Sequence, residues 1–357
     1  MLAFKYISYH YLKFFFIILS ALVLFLVGFD YMQWAERLSE SSANILIIYL
    51  AYKALYAVDM LLPLSLVFAM ISTKIFLIRS NALVSFFSLG YSRVDVLKPF
   101  VVVSMLITIL FVSLHSLPQF ARSAEFAKNI RNHSQHLNPS RDLFFTYENK
   151  FIYFSRMLPL KKEAIDIRVF SLKNNTLKEI LVAKKAVYRD NAWHINEADV
   201  LVKPTDLSLE SKGIKVSQEK NLKILDGFRP KMLDQIYEGK VNFSIGNAFD
   251  ALVLLDKQGI DTSSIKGALY KIFVYPFFVP FLIVIIFFFV PISSRFLNVS
   301  LFSFGAIIAT LMVWGILYML IELSSNKTIP GEIGIITPVF ILFLISIRQW
   351  RKYRLKT

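Results

Sequence analysis

The sequence predicts an α-helical membrane protein with six transmembrane helices, three before and three after an inserted all-β domain, either sandwich-like or jelly-roll-like. Three observations predict it. Of 357 residues 56% are hydrophobic, 34 of them Phe, and the mean hydropathy is +0.55. A soluble chain of this size cannot hide that much apolar side chain, so lipid must solvate much of it. The apolar residues also gather into long segments in two groups of three, and the stretch between the groups is polar, with hydrophobic residues alternating at period two.

The first group comprises Phe14–Phe29, Ile45–Leu77 and Pro99–Phe120; the second comprises Ile272–Ser294, Phe296–Ile321 and Ile329–Ile347. A helix needs about 20 residues to cross the ~30 Å hydrocarbon core. Phe14–Phe29 carries no charge and no small-x-small cleavage site follows it, so a retained helix is expected rather than a signal peptide. Ile45–Leu77 is longer than a span and contains Lys53 and Asp59, so it is expected to project beyond the bilayer. The last segment is short and is expected to borrow Pro330 to Glu332 at its start.

Charge sets the orientation. With the N-terminus in the cytoplasm, the inside pieces are residues 1–13, 74–98, 291–298 and 348–357. They hold 12 Lys and Arg against Asp95 alone, a strong positive-inside pattern. The opposite short loops, around Glu36 and Glu40 and around Glu322 and Glu332, lean acidic. Both termini are therefore expected in the cytoplasm. The net charge of +15 follows largely from this bias and is no sign of nucleic-acid binding.

The domain boundaries expected are 1–117 for the first three helices, 118–266 for the β domain outside the cytoplasm and 267–357 for the last three helices with a basic tail. Between Pro118 and Lys266 stand 24 Lys/Arg and 18 Asp/Glu, a water-facing composition. Ile165, Ile167 and Val169 alternate with Asp166 and Arg168, and Trp193, Ile195, Val200, Val202, Ile214 and Val216 continue the strand pattern. Asn174-Asn175 and Asp190-Asn191 suit hairpin turns. Asn247 to Gly259 reads as an amphipathic helix returning to the membrane.

Several chemistries are excluded or unsupported. Without cysteine there are no disulfides, thiolate metal sites or cysteine nucleophiles. No P-loop, H-E-x-x-H or G-x-S-x-G motif occurs, so no catalytic site, cofactor site or metal site is expected. His133 and His136 are three apart, and a polar surface explains them better than a metal does.

The most informative segment is Lys74–Pro99, KIFLIRSNALVSFFSLGYSRVDVLKP. Ser80 and Asn81 are expected to cap a short helix, and Gly90 to end it in a left-handed conformation. Leu83, Val84, Phe86, Phe87 and Leu89 are too many apolar residues for a solvated loop. One reading is an interfacial helix among lipid headgroups; the other is a coupling helix that inserts into a groove on a soluble partner.

With these residues in view, the chain resembles the LptF/LptG permease family over almost its whole length. Ser80-Asn81-Ala82-Leu83, Gly90-Tyr91-Ser92 and Pro99 are similar to the family's cytoplasmic element, Lys257-Gln258-Gly259-Ile260-Asp261 to its motif before helix four, and Pro330-Gly331 with Pro338 to its region at helix six. Ala82 stands where the family has an acidic residue, and Lys271 to Pro276 departs from the usual helix-four motif. The run Gly28-Phe29-Asp30-Tyr31-Met32-Gln33 resembles LptG more than LptF.

The resemblance implies a bacterial inner-membrane permease with its large domain in the periplasm. It implies pairing with a second permease of the family, a cytoplasmic ATPase dimer that binds the ATP, and delivery of lipopolysaccharide to periplasmic jelly-roll proteins. Leu83, Val84, Phe86, Phe87, Leu89 and Gly90 are then the expected ATPase-coupling residues. Expected substrate contacts are Arg37, Lys53 and Lys271 for phosphates and Phe25 and Phe29 for acyl chains, against the alternative that these cations snorkel to the interface. Asp59, the one carboxylate well inside a span, has no obvious partner in the sequence, which argues against a proton relay. A secondary transporter, which should show broken helices and several buried ionisable groups, and a membrane-anchored scaffold or sensor are the competing classes.

Overall fold

The computed structural model describes residues 2–39, 42–131, 140–147, 150–158, 162–173, 176–190, 192–203, 215–226, 244–256, 262–289 and 299–354. It divides into a helical unit, Met1–Arg131 with Asn242–Ala248 and Lys266–Thr357, and a second unit, Asn132–Val241 with Phe249–Ile265. The division keeps Pro118–Arg131 with the helices rather than with the β domain, because Phe120 and Ala127 are buried there.

Six helices are long and apolar enough to span a membrane: Leu2–Glu36, Ala43–Arg79, Arg93–Leu114, Ser263–Phe289, Leu301–Ser325 and Glu332–Arg354. The first lies within α1 (Leu2–Ser39), which starts a dozen residues before the expected Phe14. The extension is explained by Ile7, Tyr11 and Phe15, an i, i+4, i+8 stripe that is fully or nearly buried. Tyr11 also donates to the Leu66 carbonyl at 3.1 Å and meets Phe100 edge-on.

The second span is α2 (Ala43–Arg79). At 1.5 Å per residue its 37 residues make about 55 Å, so it does overrun a bilayer. Its first turns form a satellite core with α6 (Ser123–Arg131), in which Tyr49, Leu38 and Ala127 are buried. Pro63 sits inside α2 and has no N–H for the carbonyl of Asp59.

Between α2 and the third span lies α3 (Ala82–Ser88). It ends in a Schellman motif: Gly90 N–H donates to Phe87 O, Tyr91 N–H donates to Phe86 O, and Gly90 has φ +84°. The Phe86 and Tyr91 rings pack edge to face at 6.0 Å, the apolar contact that accompanies this motif. The start differs from expectation. Asn81 occupies the N-cap position in a left-handed conformation and makes no side-chain cap.

The third span, α4 (Arg93–Leu114), opens with a capping box between Ser92 and Asp95. It stops six residues before the expected Phe120. Leu117 is held extended ahead of Pro118, which begins the short helix α5 (Pro118–Ala121). The chain returns through α7 (Ile245–Asp256); Lys257 to Gly259 of the expected helix lie outside the described residues.

The fourth span is broken: α8 (Ser263–Phe273), a 3₁₀ turn at Tyr275–Phe277, then α9 (Phe278–Phe289). Pro276 and Pro280 each remove a backbone donor, which accounts for the tightened turn. The fifth span is in α10 (Val299–Ser325). The sixth begins, as expected, by borrowing Glu332: a π turn at Glu332–Ile336 leads into α11 (Thr337–Arg354). Pro338 has no N–H for the Gly334 carbonyl, and the Thr337 hydroxyl reaches back to Glu332 O at 3.0 Å. One core, including Leu66, Met70, Phe100, Phe278 and Phe287, joins these helices.

In the second unit six strands form one antiparallel sheet in meander order: β1 (Ser140–Tyr147), β2 (Lys150–Leu158), β3 (Glu163–Lys173), β4 (Thr176–Arg189), β5 (Ala192–Val202) and β6 (Lys215–Ile224). Each strand pairs with its sequence neighbours, the order hairpin links dictate. Arg189 pairs with Ala192 across Asp190, which is left-handed at φ 47°, as a tight turn requires. Lys173 pairs with Thr176 across Asn174-Asn175, themselves outside the described residues.

Trp193, Ile195, Phe154 and Ile167 are wholly buried. Two expectations change. Ile165 faces outward, because Asp166 adopts a left-handed conformation (φ 49°) that interrupts the alternation before Ile167. Val216 is exposed on β6, an edge strand of this sheet. Ile214 lies outside the described residues, as do His133 and His136.

Candidate functional site

Two regions of the helical unit gather the chemistry. The first is α3 with its flanks, where Tyr6 of α1 meets Phe86 and Tyr353, near the end of the last span, lies beside Arg93. Leu83 is 1% exposed and belongs to the core, and Phe86 and Phe87 are half-buried against it. These three therefore hold α3 in place. Val84 and Leu89 stand outward, Leu89 at 74% exposure, beside exposed Asn81, Ser85 and Ser88. The spacing of 81, 84, 85 and 88 is one helical face. Of the six residues expected to couple, two thus present apolar surface, three anchor the helix, and Gly90 forms its exit turn.

Close by, Lys74 differs from its reading as a loop cation. It lies within α2, 3% exposed, and its Nζ donates to the carbonyl of Phe287 while sitting 3.7 Å from that ring's centroid. Four residues after Phe287 the sequence has Pro291, which has no N–H to give that carbonyl. Lys74 thus caps α9 from a neighbouring helix.

The second region is the opposite end, from which the inserted segment leaves α4. Lys53 forms an ion pair with Asp30 at 2.6 Å, both largely buried, and the Tyr49 hydroxyl donates to the other oxygen of Asp30. Lys53 therefore ties α1 to α2 through Asp30. Asp59 also has a partner: it lies 2.9 Å from Nε2 of His115, at the end of α4.

The other predicted substrate residues are dispersed. Phe25 and Phe29 stack at 6.4 Å between centroids and are exposed on α1. Arg37 is in α1, its side chain outside the described residues, and Lys271 is exposed in the last turn of α8. Of the predicted set, the described contacts bring only Phe25 and Phe29 together.

Sequence reasoning missed Asp30, Tyr49 and His115, and the signal was present. Asp30 and Lys53 lie about equally far from the α1–α2 turn, and Asp59 and His115 about equally far from α3. Antiparallel helices bring such residues level. Near the same end, Tyr270 donates to Glu332 at 3.1 Å. Among the described residues no group of three or more His, Asp or Glu could hold a metal ion.

A family model described as "Lipopolysaccharide export system permease LptF/LptG" matches residues 5–352, nearly the whole chain. It does not separate LptF from LptG. No curated protein matches the chain.

Proposed function

This chain belongs to the LptF/LptG lipopolysaccharide export permease family, and on that premise we propose that it is one of two paired permeases driven by a cytoplasmic ATPase dimer. The family is a bacterial inner-membrane transport permease and not a catalytic enzyme. ATP binding and hydrolysis belong, in this reading, to the partner, and the permease pair moves lipopolysaccharide out of the inner membrane towards periplasmic jelly-roll proteins. Both termini and α3 are cytoplasmic, the β domain is periplasmic, and the run Gly28–Gln33 favours the G role.

The observation that carries the ATPase coupling is the division of labour in α3. Leu83, Phe86 and Phe87 root a two-turn helix in the core, while Val84 and Leu89 project from it. A rigidly seated short helix with an apolar tip is the shape that enters a groove on a soluble partner and transmits its motion. Leu89→Asp and Val84→Asp place a charge in that groove, which costs several kcal/mol, enough to dissociate a micromolar contact. Both variants are expected to fold and to lose the co-purifying ATPase. Normal ATPase recovery with either variant would return α3 to the role of an interfacial helix.

A further inference from the structure

The fourth and sixth spans are both interrupted, and their two ends pack with different neighbours. At one end, α8 meets the start of the sixth span. The Tyr270 hydroxyl donates to Glu332 at 3.1 Å, and a Cβ on Gly331 would lie 3.3 Å from the Gly267 Cα, with Ser324 of α10 beside both glycines. At the other end, α9 and α11 meet through Phe281 and Phe343, 5.1 Å between centroids, and through Phe288 and Tyr353, stacked at 4.3 Å. Between the two sets of contacts stand the 3₁₀ turn at Tyr275–Phe277 and the π turn at Glu332–Ile336. Irregular turns of this kind, each with a proline beside it, are where a helix bends.

The flanks of α3 grip α9 and α11, not α8. From α2, Lys74 Nζ donates to the Phe287 carbonyl and lies over its ring. From α4, Phe100 packs on the same ring at 5.9 Å, and Arg93 lies 5.8 Å from the ring of Tyr353, which is itself stacked on Phe288. The last turn of α9 is thus held from both sides of α3, at Phe287 and Phe288 in succession. The hydrogen bond is directional, so α9 cannot slide along α2 without breaking it. The rest of α9 is buried in the core it shares with α2 and α4.

We propose that Lys74 and Tyr353 are positioning residues that make α9 and α11 follow α3, turning at the 3₁₀ and π turns against α8 and the end of α10. The proposal rests on the reading of α3 as the ATPase contact. Motion that enters at Val84 and Leu89 is carried into the ends of the fourth and sixth spans nearest α3, and the two turns are its hinges.

The test uses the whole complex, with the paired permease and the ATPase made cysteine-free, in lipid nanodiscs. This chain has no cysteine of its own. Spin labels are placed in pairs at three exposed positions: Arg79→Cys at the end of α2, Leu344→Cys on α11 and Lys266→Cys on α8. Pulsed EPR distances are compared before and after trapping with ATP and vanadate. The 79–344 distance should stay fixed, while the 266–344 distance, which crosses the hinges, should shift by several ångström. Lys74→Met and Tyr353→Ala should still recover the ATPase, because Val84 and Leu89 are untouched, yet lose most of the 266–344 shift. Tyr353→Phe keeps the ring and should keep the shift. A 266–344 distance unchanged by trapping in the parent, a 79–344 distance that shifts as much, a full shift in either loss variant, or a lost shift in Tyr353→Phe overturns the proposal while the ATPase contact stands. A parent chain that recovers no ATPase overturns the coupling reading and this proposal with it. Tyr353 is only half-buried, near the end of the chain, so its two variants decide the matter even if Lys74→Met does not fold.

Discussion

Asp30 and Lys53 meet at 2.6 Å across the α1–α2 hairpin, with Tyr49 donating to the same carboxylate. Both side chains are mostly withdrawn from solvent, at 13% and 15% exposure, so each neutralises a charge the other could not leave bare. Removing one partner of such a pair is more damaging than removing both, because it strands a desolvated charge.

Lys53→Met alone should therefore lower thermal stability in detergent, by up to about 3–5 kcal/mol, while Asp30→Asn combined with Lys53→Met should recover much of the loss. If Lys53 instead acts by binding substrate phosphate, the single variant should keep its stability and lose lipopolysaccharide photocrosslinking. Thermal unfolding and crosslinking measured on the same preparations separate the two roles.

Gly334 sits in the π turn with no room for a side chain. A Cβ there would come within 3.0 Å of the Leu320 carbonyl oxygen and of Ile329 Cδ1. The carbonyl belongs to a packed helix and cannot give way cheaply. Gly334→Ala is expected to cost about 1–3 kcal/mol, the range for overpacking. Gly305→Ala and Gly315→Ala, where a Cβ meets open space, serve as neighbouring controls and should leave the unfolding midpoint unchanged or slightly raised, since both lie inside α10.

The cysteine-free chain also makes the topology measurable. Ser88→Cys on α3 and Lys220→Cys on β6 are both at exposed positions. In intact spheroplasts an impermeant maleimide should label the second and spare the first until the cells are opened. Labelling of Ser88→Cys from outside would reverse the orientation on which the ATPase assignment depends.

The sequence alone determined the six spans, the inserted β domain, the extra length of α2 and the Gly90 turn. Each of these rests on a local property: hydropathy over about 20 residues, period-two alternation, or the φ > 0 freedom of one glycine. Boundaries shifted where proline intervened, as at Pro118 and Pro276, or where a buried stripe extended a helix, as at Ile7, Tyr11 and Phe15. Only the tertiary structure decided the roles of the charged groups. Lys53 and Asp59 are near neighbours in sequence, yet each is committed to a residue on another helix, Asp30 and His115. Lys74 left its expected loop to cap α9. The physical reason is range: inside a membrane a charge must find a partner, and which partner it finds is set by helix register and packing, a relation between distant segments that no local window contains.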